Sequence, residues 1–466
     1  MNRVLAKYGL AAHLAFVSVA PLFLLPFCSE ATTAKVLLWL SAFAFFWCFL
    51  APSVRAGETT HAARARVSAS VVRDPLFWTS VALAALAGVR ALNGGVRMAY
   101  DAEESAWRMT QPAIEILPGC VDGSGFLPFA AATAIVVVLL GARHALGRSA
   151  RMAFLLVAGA CAGLAAVVAL VAAREGSEAC AALFSTTDNT FSYFGFAEGF
   201  WFLGGLAALA TAFERSWVKA TPLFALAIGG TALGLFLFAP PALALVFAAL
   251  ALAVLAAAFV YLLRVVGRSS QFRYLAVFAI AMALGGLTVA FFAPQDALAA
   301  RLDAFMTGDF LPKELLSLRR TLSDIALRAW KTSPWTGTGL ASFGLDVRFQ
   351  AQPADWATLP RGIAAIPNGG WLVLAERGLV GAACLVLPFG FIAFSFGRRV
   401  AAWATHRLVA PHPGVFLAPL AALALAAAVP FDASFLRAEA LLAAVSVAAV
   451  APKCFPNIEE KSTQHV

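Results

Sequence analysis

The chain has 466 residues, 61% of them hydrophobic and 13% charged, with a mean hydropathy of +0.83. An average soluble domain carries roughly 25% charged residues, so a water-soluble fold is excluded. The formal charge of +9 lies in short clusters at the ends of apolar runs, which marks orientation and not a nucleic-acid footprint.

In chain order, Arg3 and Lys7 precede an apolar run over 10–28. The run is too long for a signal-peptide core, lacks a small-residue cleavage site and leads straight into a second run, so it is expected to stay as an anchor. Further runs cover 34–52, 75–93, 127–142, 152–172, 199–213, 222–239, 242–262, 275–293, 369–395, 413–430 and 435–452. A run of about 18 or more nearly uncharged residues spans the hydrocarbon core, which predicts an all-α polytopic membrane protein with about 12 transmembrane helices.

Lys and Arg in short loops mark the cytoplasmic side. They fall on alternate connections: Arg55 to Arg73, Arg143 to Arg151, Arg215 and Lys219, Arg264 to Arg273, and Arg398 to Arg407. Both termini are therefore expected in the cytoplasm. The chain is expected to form a single membrane domain over 1–466, with 453–466 as a short cytoplasmic tail and a large, partly helical periplasmic loop over 294–368 between the ninth and tenth helices. Long loops translocate largely regardless of their charge.

Of seven cysteines, Cys120 and Cys180 fall in the two medium outer loops. Two readings stand for them: a disulfide in an oxidising compartment, or two unpaired thiols. The sequence contains no CxxC, HExxH, Walker loop or GxSxG, so neither metal nor cofactor is expected. The histidines sit on expected cytoplasmic loops, the tail or the inner part of the first span, away from any outer-face chemistry.

Within the long outer segment, Leu315, Leu318, Leu322, Ile325 and Ala329 recur at helical spacing, and Arg319, Arg320, Arg328 and Lys331 occupy the remaining surface. A helix over 315–331 follows. It reads either as an interfacial helix on anionic headgroups or as a cationic grip on phosphate, which a guanidinium meets bidentately. A Pro/Gly turn comes next, Ser333-Pro334-Trp335-Thr336-Gly337-Thr338-Gly339, then Asn368 and the sequence Ala375-Glu376-Arg377-Gly378-Leu379-Val380-Gly381 at the start of the tenth run.

This region resembles the bacterial O-antigen ligase and O-antigen polymerase superfamily, which carries an Arg, a Pro-x-x-Gly-x-Gly-x-x-x-Phe turn, a His-Asn pair and Ala-Glu-x-Gly-Leu-x-Gly at the start of a span. The matching positions are Pro334, Gly337, Gly339, Phe343, Asn368, Ala375, Glu376, Gly378, Leu379 and Gly381, with Arg319 or Arg320 as the arginine. The family's histidine position is Pro367 here, and the Trp usual a turn after the arginine is absent.

The resemblance implies glycosyl transfer from an undecaprenyl-diphosphate-linked glycan to a hydroxyl of a lipid or polysaccharide acceptor, at the outer leaflet of the bacterial inner membrane. A lipid diphosphate leaves with negative charge, which cations stabilise. Arg319 and Arg320 fit that role, with Arg328, Arg377, Arg90 and Arg437 as further contacts. Glu376 is the substitute for the missing base, or else a structural carboxylate. Asn368 orients the acceptor or caps a helix. Gly337 and Gly339 form the turn, and Gly339 allows close approach to the substrate. Aromatic residues of the outer loops, Trp107, Phe126, Phe191, Tyr193 and Phe194 among them, stack on sugars or sit at the membrane interface. Two alternatives stand beside the enzyme: a transporter or flippase, and a catalytically inactive scaffold. Neither contradicts the bilayer as partner, and no reading involves nucleic acid.

Overall fold

The structure is a computed structural model describing residues 2–50, 52, 54, 58–175, 192–214, 221–265, 267–307, 313–359, 369–405, 412–428 and 441–448. The chain is a polytopic helical membrane protein. Among the described residues, eight helices are long and apolar enough to cross a bilayer, and three shorter apolar helices, Tyr8–Leu24, Pro222–Phe238 and Pro413–Ala426, fall on further expected spans. Of the last expected span, 435–452, residues 441–448 are described and helical.

The helices run α1 (Asn2–Leu24), α2 (Glu30–Leu50), α3 (Thr60–Val72), α4 (Pro75–Leu92), α5 (Phe126–Val138), which continues as a π turn over Leu139–Ala145, and α6 (Arg148–Arg174). After them come α7 (Ser192–Glu214), α8 (Thr221–Ala225), a π turn over Leu226–Gly230, α9 (Thr231–Phe238), α10 (Pro241–Val265) and α11 (Arg268–Phe292). The segment between the expected ninth and tenth spans holds α12 (Gln295–Thr307), α13 (Lys313–Thr332) and α14 (Phe343–Gln350), followed by α15 (Gly369–Thr405) and α16 (Leu417–Ala428).

Small residues set the packing of the bundle. Without water to drive helices together, membrane helices gain from close backbone approach. Gly163 on α6 meets the π turn so tightly that a Cβ there would lie 2.2 Å from the Leu226 carbonyl oxygen, and one on Gly230 would lie 2.6 Å from the Gly163 Cα. A carboxyl also lies inside this interior. Glu198 on α7 is fully buried against Gly234, and both its carboxyl oxygens lack hydrogen-bond partners among the described residues.

The loop between α4 and α5 contains four short strands that the sequence reading left unassigned: β1 (Gly94–Val96), β2 (Met98–Asp101), β3 (Ala106–Met109) and β4 (Cys120–Val121). β1 pairs with β4 in parallel and β2 with β3 antiparallel. The expected amphipathic helix is present as α13, but its apolar face does not lie on headgroups. Leu322, Ile325, Ala326 and Ala329 are buried with Phe343 and Val347 of α14 and Ala375 of α15 in a second core, so this helix is packed onto the membrane bundle.

Candidate active site

α13 ends in the turn that carries the site. Trp330 donates from Nε1 to the Pro334 carbonyl at 3.1 Å, and Gly337 N–H donates back to Ser333 at 2.9 Å. The turn then crosses α15 where that helix is interrupted. Gly378 has φ 62° and ψ −172°, a conformation open essentially to glycine alone. A Cβ on Gly378 would sit 2.4 Å from the Trp335 carbonyl oxygen, and one on Gly337 would sit 2.4 Å from the Glu376 carbonyl carbon and oxygen. Two glycines with left-handed φ therefore let two backbones touch.

The touching backbones repair the break. Leu379 and Val380 donate to the Pro334 and Trp335 carbonyls at 2.9 and 3.1 Å, and Thr338 and Gly339 donate to Ala375 and Glu376 at 2.8 and 3.3 Å. Carbonyls on both sides of the crossing also accept from Arg90, from the last turn of α4. Its Nη2 donates to Thr336 at 3.0 Å and to Arg377 at 2.9 Å, and its Nη1 to Glu376 at 3.4 Å. Arg90 is buried, and a cation at a helix C-terminus meets the negative end of the dipole. It was expected as a substrate contact; its two Nη groups are instead donated to main-chain carbonyls, which makes it the pin of the crossing.

The residue beside the break is placed differently. Arg377 lines a small pocket of about 30 Å³ whose other walls are Leu83 and Ala87 of α4, Pro128, Ala131, Ala132 and Ile135 of α5, and Leu441. Its guanidinium has no hydrogen bond or ion pair among the described residues, and the neighbouring charges are Glu376 and Arg90. An unpaired cation among apolar walls inside a membrane is costly unless a ligand meets it.

Glu376 is buried, and its Oε1 accepts from Phe343 N–H at 3.4 Å, at the start of α14. Near it lies Asp346, which the sequence reading missed. The Asp346 carboxylate accepts from the Thr338 hydroxyl at 2.7 Å and the Ser342 hydroxyl at 3.2 Å. Burial pushes its pKa up to about 6, against the pull of those two hydroxyls. An Asp three residues after the motif Phe gave no signal in isolation, because its role depends on Thr338 being folded back over it.

Other expected site residues fall as follows. Arg328 donates to the Gln350 carbonyl at 3.0 Å and is ion-paired with Asp355. Arg319 is half-buried and Arg320 exposed on α13. Gly337 and Gly339 form the turn as expected, with φ of 76° and 128°, and a Cβ on Gly339 would meet Val96 at 3.2 Å, so the close approach there is to the α4–α5 loop. Cys120 is a free, buried thiol; its suggested partner Cys180 lies outside the described residues, as do Asn368 and Arg437.

Residues 234–386 match the family model described as O-Antigen ligase. Over this segment the chain is similar to O-antigen ligases. The O-antigen ligase match runs from within α9 to within α15 and contains α13, the turn and the Gly378 break, while Arg90 and the α4–α5 loop lie outside it. No curated protein matches the chain.

Proposed function

We propose that this protein is a glycosyltransferase of the O-antigen ligase/polymerase type that moves a glycan from an undecaprenyl-diphosphate carrier to a hydroxyl of lipid A-core or a growing polysaccharide. The observation that carries this reading is the unpaired Arg377 guanidinium in an otherwise apolar pocket next to the family motif. A polyprenyl diphosphate has the matching form, an anion joined to a hydrocarbon chain.

In the proposed step the acceptor oxygen attacks the anomeric carbon and the carbon–oxygen bond to the diphosphate breaks, with the electron pair leaving on phosphate. Arg377 stabilises that developing charge, together with Arg319 or Arg320 from α13. Glu376 takes the acceptor proton, since Pro367 stands where the family has histidine. Arg90 holds the crossing from which Glu376 and Arg377 project. Asn368 and Arg437 remain as acceptor and diphosphate contacts in this reading. The site lies on the periplasmic face of the bacterial inner membrane, with both termini in the cytoplasm, on the strength of the alternating basic loops.

The test is the lipid-linked and surface glycan profile of cells with and without the gene. Long glycans stranded on undecaprenyl diphosphate identify a ligase, and single repeat units identify a polymerase. An unchanged profile overturns the proposal. One observation favours a second reading, a proton-coupled transporter: Glu198, a buried carboxyl with no hydrogen-bond partner among the described residues. Proton-driven uptake into vesicles that disappears in Glu198→Gln supports that reading.

A further inference from the structure

We propose that the ribbon formed by β2 and β3 is a saccharide-binding platform that holds the glycan chain of the lipid-linked substrate, an inference that rests on the glycosyl-transfer reading above. Tyr100 and Trp107 stand opposite each other in the ribbon's register, their ring centroids 5.4 Å apart at 66°. Side chains alternate between the two faces of a strand, so Met98, Tyr100, Trp107 and Met109 share one face while Asp101 and Arg108 occupy the other. The two rings are 53% and 57% exposed, and no element of the described chain covers them.

The chemistry around the rings selects their ligand. Arg108 is ion-paired with Asp101 at 3.4 Å and with Glu104, and the ribbon's tip adds Glu103. A sugar ring is apolar on its C–H faces and polar at its hydroxyl edge; the exposed aromatic pair matches the first, and the carboxylates of Glu103 and Glu104 at the ribbon's tip stand at the end of the strands for the second. Burial in the membrane interface fits less well, because it would strip water from the carboxylates of Asp101, Glu103 and Glu104 that the tip carries. The same loop has a separate apolar strip in Ile114, Ile116 and Leu117, all exposed.

The ribbon is also fixed to the candidate site. Thr110 closes its base by donating to the Gly95 carbonyl at 2.7 Å and accepting from Arg97 N–H at 3.0 Å. β1 then pairs with β4, and β4 is laddered to Leu340: Val121 N–H donates to Leu340 and Leu340 N–H to Gly119, both at 3.0 Å. Leu340 follows Gly339 of the catalytic turn, so main-chain hydrogen bonds run from the aromatic pair's support to the Gly337–Gly378 crossing. Buried Asn93 pins the rest of the loop by donating to the Ile114 and Leu117 carbonyls at 3.0 and 3.1 Å.

The experiment measures binding of two probes to the full chain in nanodiscs: undecaprenyl diphosphate, and the lipid-linked glycan extracted from cells lacking the gene. Trp107→Ala and Tyr100→Ala are expected to weaken the lipid-linked glycan about tenfold, on the scale of one aromatic contact, and to leave undecaprenyl diphosphate binding unchanged. Trp107→Phe, which keeps a ring, stays within about twofold of the wild type. Unaltered glycan-lipid binding in the Ala variants overturns the platform, and so does quenching of Trp107 fluorescence by brominated lipids, taken as the difference from Trp107→Phe. Failure of either probe to bind the wild type overturns the glycosyl-transfer reading instead.

Discussion

α4 ends in a buried charge cluster at each end, and the two clusters differ in what they leave open. At its start, Asp74 caps the helix by accepting from Leu76 N–H at 3.2 Å and takes Arg143 at 2.5 Å and His144 at 2.8 Å. Ser70 completes a line with His144 at 2.9 Å, an order that resembles a hydrolytic triad. The carboxylate is nonetheless neutralised by a guanidinium. Burial acts to raise its pKa, but the hydrogen bond from His144 and the charge of Arg143 outweigh that and hold it at about 2. At the other end, Arg90 is equally enclosed, yet Arg377 beside it lines a pocket with no hydrogen bond or ion pair to its guanidinium among the described residues. A cluster whose charges all find partners ties helices together, whereas one that leaves a cation over waits for a ligand.

The contrast breaks most sharply on Arg377. Arg377→Ala is expected to reduce glycan transfer by about a hundred- to a thousandfold, the usual loss on removing one group that stabilises transition-state charge, with insertion and melting temperature unchanged. Radiolabelled transfer in membranes checks it. Gly378→Ala comes next, because it forces a Cβ into the Trp335 carbonyl and a glycine-only conformation onto alanine; a loss of about 3 kcal/mol is expected, visible as reduced folded yield on detergent chromatography. Asp74→Asn is expected to lower thermal stability by about 2 kcal/mol, since it leaves Arg143 without its charged partner, while transfer per folded molecule is retained.

The smallest effect is a pH dependence centred on Asp346. Its carboxyl titrates near 3.8 ordinarily and about 6 here, so the folded protein holds the proton more tightly than the unfolded chain. The resulting stabilisation is complete below pH about 4 and fades as pH rises through about 6, at no more than about 1.4 kcal/mol per pH unit. Melting of the wild type relative to Asp346→Asn is therefore expected to improve on going from pH 7 to pH 5. A pH-independent difference removes the buried acid from the account.

Much of the membrane architecture was legible because apolar run length and the bilayer thickness are a direct match. α13 was legible from its period, and the Gly337–Gly339 turn from its Pro and Gly. What stayed hidden were features defined only by tertiary contact. The sequence shows Arg90 as a charge near a span end, but not that carbonyls from residues 336, 376 and 377 converge on it. Arg328 looked like its neighbours on α13 until Asp355 was seen to hold it. The ribbon was missed because strands of four residues in a loop give too short an alternation to stand out beside apolar helices.

The most direct test of the unpaired cation is binding of undecaprenyl diphosphate to the purified protein in nanodiscs by native mass spectrometry, for the wild type, Arg377→Ala and Asp74→Asn. The account predicts retained binding in Asp74→Asn and a loss of about thirtyfold or more in Arg377→Ala, on the scale of a charge-assisted phosphate contact. Equal binding by the wild type and Arg377→Ala would contradict it.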